Sequence, residues 1–406
     1  MYFDVNRLSG LLLIFFVHGL VYAGLLLKRG VQTDTASDKW LSFFLLLSVL
    51  YICPYMLGFA GWYNGNECLE CRNFLFYMPL QHALLMGPVI YFYTQSLLNP
   101  VFKFTKKQLF HFAPGILYVV WTIIVAVVDR LILKKYYLMD GQNDPDFNDW
   151  YVLLGLVSFL IYLVKSISYY KNYRKFIVQE LSFADSLQFK WIGNFLIGCL
   201  IYFFSTLIMY LLYLLGINLL YSQTWWYYML FAIVFYYIAI TGYSFSIEIK
   251  KSFQLDFLKY QMPGLLTAPE ITTEDASFEV IGQQTKEKKQ DQADYEGWQL
   301  KILKAVKDEE MFKDPELTLT DLAKHLGTNS SVLSKVINGA FQMNFNDFIN
   351  RYRVEEVKKQ LQNPHNASLT IMSLAYDAGF NSKATFNRAF KKHTGENPSK
   401  YQIVNN

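Results

Sequence analysis

The stretch LTDLAKHLGTNS (319–330) decides the fold of the C-terminal part of the chain, because it returns 52 positions later as IMSLAYDAGFNS (371–382). Five positions are identical in the aligned copies: Leu322/Leu374, Ala323/Ala375, Gly327/Gly379, Asn329/Asn381 and Ser330/Ser382. A second helical stretch follows each copy, over 331–337 and over 383–390. The sequence therefore predicts two copies of one small helical unit.

The shared positions suit two short helices that cross at a steep angle. Alanine supplies the small side chain at the crossing, and glycine tolerates a positive φ in the turn. We expect Asn329 and Asn381 to cap the second helix of each copy. The buried face of that helix is predicted to contain Val332, Leu333, Val336 and Ile337 in the first copy and Ala384, Phe386, Ala389 and Phe390 in the second. Each copy is thus predicted to be a helix-turn-helix unit whose exposed face is polar and basic, as a major groove requires.

Between the copies, residues 344–361 have the pattern of one amphipathic helix. Such a helix is about 27 Å long at about 1.5 Å per residue. It is predicted to act as a rigid strut that holds two recognition helices roughly one duplex turn, about 34 Å, apart.

Residues 371–401 resemble the signature of the AraC/XylS family of bacterial transcription regulators. The resemblance rests on Ala375, Gly379-Phe380, Phe386, Arg388, Phe390-Lys391-Lys392, Gly395 and Pro398-Ser399-Lys400-Tyr401. It extends over about 100 residues, from near 298 to 404. Gln402 stands where the family often has arginine, which removes one phosphate contact.

The resemblance implies which side chains contact DNA. Those expected to read bases are Ser330, Ser331, Ser334, Lys335 and Asn338 in the first copy and Ser382, Lys383, Thr385, Asn387 and Arg388 in the second. Lys391, Lys392 and Lys400 are expected to neutralise phosphate instead. Arg351 and Arg353 on the strut are expected to be structural or phosphate-facing. For each serine or lysine, a merely solvated surface position remains the alternative.

The rest of the chain has the composition of a membrane protein. The whole sequence is 53% hydrophobic and 17% charged, and the long apolar runs fall between residues 8 and 247. Spanning a bilayer takes roughly 20 apolar residues in a helix. Seven spans are predicted, near 8–27, 40–60, 77–98, 109–128, 150–170, 192–216 and 225–247.

The basic residues of the short loops predict an N-terminus outside and a C-terminus inside. The predicted inner loops contain Lys28, Lys103, Lys171 and further basic residues. Residues 225–228 (WWYY) are expected in the outer aromatic belt. Cys68 and Cys71 share an outer loop, where either a local disulfide or two unpaired thiols are compatible with the spacing, and unpaired thiols are favoured.

Few residues of the spans suggest a ligand site. His18, Gln81 and His82 are polar groups in or near spans, and they either line a ligand pocket or form bonds between helices, the second being favoured. We found no sequence pattern of a hydrolase, kinase or metalloprotease, so neither catalytic residues, nor a metal, nor a cofactor is predicted.

Together these observations predict an all-α protein: a seven-helix transmembrane bundle (1–250), a cytoplasmic linker (251–294) and a small double helix-turn-helix domain (295–406). The predicted function is a sequence-specific transcription regulator, not an enzyme, in the bacterial inner membrane. Its predicted partners are double-stranded DNA and the lipid bilayer, and a homodimer is left open. The alternative is a membrane receptor or transporter whose tail is a protein-interaction module without DNA binding.

Overall fold

The computed structural model describes residues 3–63, 68–99, 102–139, 149–184, 190–217, 219–244, 297–366, 368–398 and 400–401. These residues are overwhelmingly helical and contain no extended sheet, so the predicted all-α class is confirmed. The chain divides into two compact units, 1–171 with 189–257 and 172–188 with 258–406. The predicted linker (251–294) lies outside the described residues.

The described residues of the first unit form eight α-helices. They are α1 (Arg7–Gln32), α2 (Ala36–Phe59), α3 (Leu69–Tyr77), α4 (Ala83–Leu98), α5 (Ala113–Ala126), α6 (Asp149–Glu180), α7 (Lys190–Leu214) and α8 (Trp225–Ser244). A 3₁₀ turn (Lys106–Phe112) precedes α5 and a π-helical turn (Val127–Ile132) follows it. Residues 172–180 of α6 belong to the second unit.

In the part of the chain that the structure describes, six helical segments are long and apolar enough to cross a membrane: Arg7–Gln32, Ala36–Phe59, Lys106–Ile132, Asp149–Glu180, Trp191–Leu214 and Tyr221–Ser244. The third predicted span is shorter than expected, because its helix begins only at Ala83 and has 16 residues. Pro79 explains the late start, since proline lacks the N–H that a continuing helix would use. At about 1.5 Å per residue, α4 is about 24 Å long, less than the about 30 Å of a hydrocarbon core.

Polar contacts fix the ends of the bundle helices. Arg29 on α1 forms a two-bond ion pair with Asp38 on α2, with N–O distances of 2.8 and 3.0 Å. The same guanidinium donates to the carbonyl of Tyr243 at 2.5 Å, and so it satisfies the end of α8.

Cys68 and Cys71 are joined in a disulfide, contrary to the favoured prediction of two unpaired thiols.

The second unit is built on two hydrophobic cores. After a short helix α9 (297–303) come α10 (Leu319–His325), α11 (Ser330–Phe341), α12 (Phe345–Leu361), α13 (Ile371–Asp377) and α14 (Lys383–Thr394). Phe345, Phe348 and Ile349 at the start of α12 pack in the first core. Val354 and Val357 further along pack in the second core. The strut helix predicted over 344–361 is therefore present and belongs to both cores, with Asn344 as its N-cap.

Candidate DNA-binding surface

The first helix-turn-helix unit consists of α10, a turn and α11. Thr318 caps α10, and Gly327 takes a positive φ of 69° in the turn. The side chain of Asn329 then accepts a hydrogen bond from the Val332 N–H at 2.9 Å, so the predicted N-cap of α11 is present. Ala323 is buried where the two helices meet, as the sequence predicts.

The second helix-turn-helix unit, α13 to α14, repeats this design, except that the N-cap of its second helix is shifted by one position. Thr370 caps α13, and Gly379 takes a positive φ of 93°. The N-cap of α14 is Ser382, whose hydroxyl accepts from the Thr385 N–H at 3.1 Å, and not the predicted Asn381. The helix begins one residue later than the repeat implies, so its first capping position falls on the serine.

Gly379 has a further role that Gly327 lacks. A Cβ at position 379 would lie 2.7 Å from the carbonyl oxygens of both Phe312 and Lys313, whereas nothing approaches a Cβ at 327 within 4 Å. The second turn therefore packs against the backbone of residues 312 and 313, and this contact requires the absence of a side chain.

The exposed face of each recognition helix is polar. On α11 it includes Lys335 and Asn338, with Ser331 half-buried beside them. On α14 it includes Lys383, Asn387, Arg388 and Lys391. Lys383, Asn387 and Lys391 follow one another at four-residue spacing, so they lie along one side of the helix.

Three predicted base-reading side chains are buried instead. Ser330 and Ser334 are 8% and 7% exposed, and Thr385 is fully buried with its hydroxyl 2.9 Å from that of Ser382. Ser382 itself is occupied as an N-cap. These side chains fix the start and the packing of the recognition helices, and we assign them to that role. Conversely, Val332 and Ala384, predicted to be buried, are exposed.

The basic residues expected at phosphate lie near the end of α14. Lys391 and Lys400 are exposed, and the Lys392 Nζ forms an ion pair at 2.6 Å with Asp347 on α12. Lys392 therefore also links the second recognition helix to the strut. Burial lowers the pKa of His393, in the last turn of the same helix, and its Nε2 has no hydrogen-bond partner among the described residues.

A segment that follows the predicted fifth span also belongs to the second compact unit, which contains the helix-turn-helix domain. We call residues 172–184 the loop segment. Leu181 pairs with Thr318 in an isolated antiparallel bridge, in which the Ser182 N–H donates to the Leu317 carbonyl at 3.2 Å. The Glu180 carboxylate accepts hydrogen bonds from the N–H and hydroxyl of Thr320, in the first turn of α10. The start of the first helix-turn-helix unit is thus fixed by residues more than a hundred positions earlier.

Arg353 on the strut is the centre of this contact. Its guanidinium donates to the carbonyls of Phe312 at 2.7 Å and Asp314 at 2.6 Å, and to the Ser182 hydroxyl at 3.0 Å. Asn346 on the same helix donates to the Ser182 carbonyl at 2.9 Å. Burial lowers the pKa of Arg353 to about 9, against a smaller opposing effect of Asp314. Arg353 is fully buried, so it is structural, whereas Arg351 is exposed.

The three ligand-binding candidates of the bundle do not converge. His18 is exposed on α1, with its Nδ1 2.8 Å from the Ile14 carbonyl. Gln81 is buried and donates to the Tyr55 hydroxyl at 2.6 Å. His82 precedes α4, and its buried Nδ1 has no hydrogen-bond partner among the described residues. Of the WWYY run, only Trp226 is largely exposed, and Trp225 and Tyr228 are buried.

Comparison with known proteins identifies the class of the C-terminal domain. Residues 322–402 match a family model described as a helix-turn-helix domain. The Msm operon regulatory protein of Streptococcus mutans is 30% identical over 92 residues, which are 22% of this chain and 32% of that protein. The melibiose operon regulatory protein of Escherichia coli is 27% identical over 89 residues, 22% of this chain and 28% of that protein. The C-terminal part of the chain is therefore an AraC-type helix-turn-helix domain, similar to those of transcriptional regulators.

Each of these similarities extends over about a fifth of the chain. An uncharacterized helix-turn-helix transcriptional regulator of Staphylococcus aureus is 33% identical over 87 residues, 21% of this chain and only 11% of that protein. The chain thus covers about a tenth to a third of the length of these curated relatives. A solved structure of a protein of unknown function from Listeria innocua is 28% identical and covers 26% of this chain and 96% of its own, with a TM-score of 0.24.

Proposed function

We propose that this chain is a membrane-embedded, sequence-specific DNA-binding transcription regulator, without enzymatic activity, that responds to a signal at or in the envelope. The observation that carries the proposal is the pair of helix-turn-helix units built on one strut, α12. Their exposed faces carry lysine, arginine and asparagine, the side chains that bind phosphate and base edges. The proposed base readers are Ser331, Lys335, Asn338, Lys383, Asn387 and Arg388, and Lys391, Lys392 and Lys400 are proposed to bind phosphate.

The membrane location is proposed from the first unit. Its apolar helices expose many large hydrophobic side chains, such as Leu117, Val164 and Leu214, which water would not favour. The Cys68–Cys71 disulfide supports the predicted outward position of its loop, because disulfides persist in oxidising compartments. With the N-terminus outside, the helix-turn-helix domain lies in the cytoplasm of a bacterium and the bundle in its inner membrane.

The route from bundle to DNA is proposed to run through the loop segment. It consists of the C-terminal end of α6 and the four residues that follow, and its residues bond to the first turn of α10 and to the strut. A shift of α6 along or about its axis would therefore act on the first helix-turn-helix unit through Glu180 and Ser182. Effector identity and pairing with a second copy are separate from this proposal.

The test uses the full chain, purified in detergent and mixed with fragmented genomic DNA over a series of salt concentrations. We expect selective retention of a small set of fragments that share a sequence. Replacing Asn338 and Asn387 by alanine should reduce selectivity, whereas Lys359→Ala, which removes an exposed charge from the strut, should not. Absence of selective retention at every salt concentration would instead favour the receptor or transporter with an interaction module.

Orientation is tested separately by reporter fusion. Green fluorescent protein at the C-terminus should fluoresce and alkaline phosphatase at the same place should be inactive. The opposite pair of results would place the domain outside and exclude direct regulation of transcription.

A further inference from the structure

A cavity of about 310 Å³ lies inside the first unit, at the lower end of the range for small-molecule pockets. Its walls come from α2, α6, α7 and α8 and from the start of α4. Eight of its 17 lining residues are tyrosines. This concentration goes beyond what packing between apolar helices needs, because each phenol brings a hydroxyl that must find a partner.

The hydroxyls are already oriented by one another. The Tyr227 hydroxyl lies 2.9 Å from that of Tyr51 and 2.8 Å from that of Thr206. Gln81 donates to the Tyr55 hydroxyl at 2.6 Å. The cavity therefore offers aromatic faces together with a few fixed polar groups, which is the composition of a site for a small organic molecule.

Charge limits what such a site accepts. None of the residues that line the cavity in the described part of the chain is aspartate, glutamate, lysine, arginine or histidine. An anion placed there would therefore lose its hydration without gaining an opposite charge. An uncharged ring can stack on phenol faces and bond to their hydroxyls at no such cost.

We propose that this cavity binds an uncharged aromatic or quinone-like molecule that carries at least one hydroxyl or carbonyl group. The lining residues lie near the C-terminal ends of α2 and α7 and near the N-terminal ends of α4, α6 and α8. These ends are all on the outer side in the orientation proposed above, so the ligand enters from the outer leaflet or from outside. This sidedness rests on the proposed function, whereas binding itself does not.

The experiment uses β-naphthol as the probe and the full chain in lipid nanodiscs, with empty nanodiscs subtracted. Isothermal titration calorimetry should show saturable binding. Met209→Trp fills the cavity and should weaken binding at least about tenfold. Ile208→Trp adds the same ring to the neighbouring exposed position and should leave the affinity unchanged. The anion β-naphthoate, with the same ring system, should bind at least about tenfold more weakly than β-naphthol.

Equal affinities of the Met209→Trp and Ile208→Trp proteins, or equal binding of the anion, would overturn the proposal. Should Met209→Trp fail to accumulate, Val152→Trp fills the cavity from α6 and Leu153→Trp is its exposed control. Retention of genomic DNA is measured on the same preparations. Loss of probe binding with intact DNA retention refutes the cavity alone, and probe binding without DNA retention refutes the regulator alone.

Discussion

The first recognition helix carries one basic residue, Lys335, whereas the second carries Lys383, Arg388, Lys391 and Lys392. The two helix-turn-helix units also differ in what holds them. The first is held by the loop segment through Glu180 and the Leu181–Thr318 bridge, whereas the turn of the second packs against the backbone of residues 312 and 313. Two copies of one sequence pattern have therefore diverged: the second has the charge for affinity, and the first has the attachment through which a signal would act.

The largest expected effect concerns the attachment. Arg353→Met removes five donated hydrogen bonds, among them the one to the carbonyl of the buried Phe312. We expect a loss of about 3 to 5 kcal/mol in the free energy of unfolding of the domain. Urea-dependent proteolysis of the full chain in nanodiscs measures it.

Arg351→Met is the matched control, because Arg351 is exposed on the same helix, and it should change stability by less than about 0.5 kcal/mol. Similar effects of the two substitutions would contradict a central role for Arg353.

The second prediction compares the two turn glycines. Gly379→Ala places a methyl group 2.7 Å from two backbone oxygens and strains a positive φ, so it should cost about 3 kcal/mol. Gly327→Ala meets only the φ penalty and should cost about 1 kcal/mol. The same proteolysis assay applies, and a larger loss at Gly327 would show that the packing of the second turn is wrongly assigned.

The charge difference predicts unequal salt dependence of DNA binding. Each phosphate contact contributes about 0.9 to the slope of log affinity against log salt. Lys391→Ala with Lys400→Ala, which removes two proposed phosphate contacts, should therefore lower the slope by about 2, and Lys335→Ala, at a proposed base reader, by about 1 at most. Retention of a selected genomic fragment by the full chain, titrated over salt, gives both slopes. Equal slopes for the three proteins would mean that neither helix approaches the phosphate backbone.

The smallest expected effect is a dependence of stability on pH that is specific to the second helix-turn-helix unit. Burial lowers the pKa of His393, while the aligned position of the first copy is Phe341. The unfolded chain then binds a proton at a higher pH than the folded one, so stability falls as pH decreases through the ordinary histidine pKa of about 6.5. The loss is well below about 1 kcal/mol because solvent screens a half-exposed group. His393→Gln should remove this dependence of stability on pH. If the dependence were unchanged in His393→Gln, another group would be its cause.

The sequence predicted the features that local patterns determine. The alanine, glycine and asparagine of the repeat placed α10, α11, α13 and α14, and the apolar period placed α12. The identity of an N-cap changes when the helix begins one residue later. The N-cap of α14 is therefore Ser382, where the repeat predicts Asn381. Burial of Ser330 and Thr385 was missed because short polar side chains are compatible with both surfaces and cores.

Contacts distant in sequence could not be predicted in this way. Nothing in the pattern of residues 172–184 indicates pairing with Thr318 or Arg353, since a single bridge has no periodicity. The tyrosine-lined cavity could not be predicted for the same reason, because it depends on contacts between residues distant in sequence. Its lining residues come from five helices, and an excess of tyrosine at one end of the spans is equally typical of an interfacial aromatic belt, as predicted for residues 225–228.

The loop segment also affects how the helix-turn-helix domain could be released from the rest of the chain by proteolysis. The DNA-binding unit includes residues 172–188, which are joined at both ends to the bundle, as well as the chain that follows the linker. A protease that cuts between 251 and 294 severs only one of these two attachments. The hydrogen bonds of Glu180, Ser182 and Arg353 would remain, so cleavage by itself would leave the helix-turn-helix domain attached to the rest of the chain. Its release would require a second event that breaks the contacts of the loop segment.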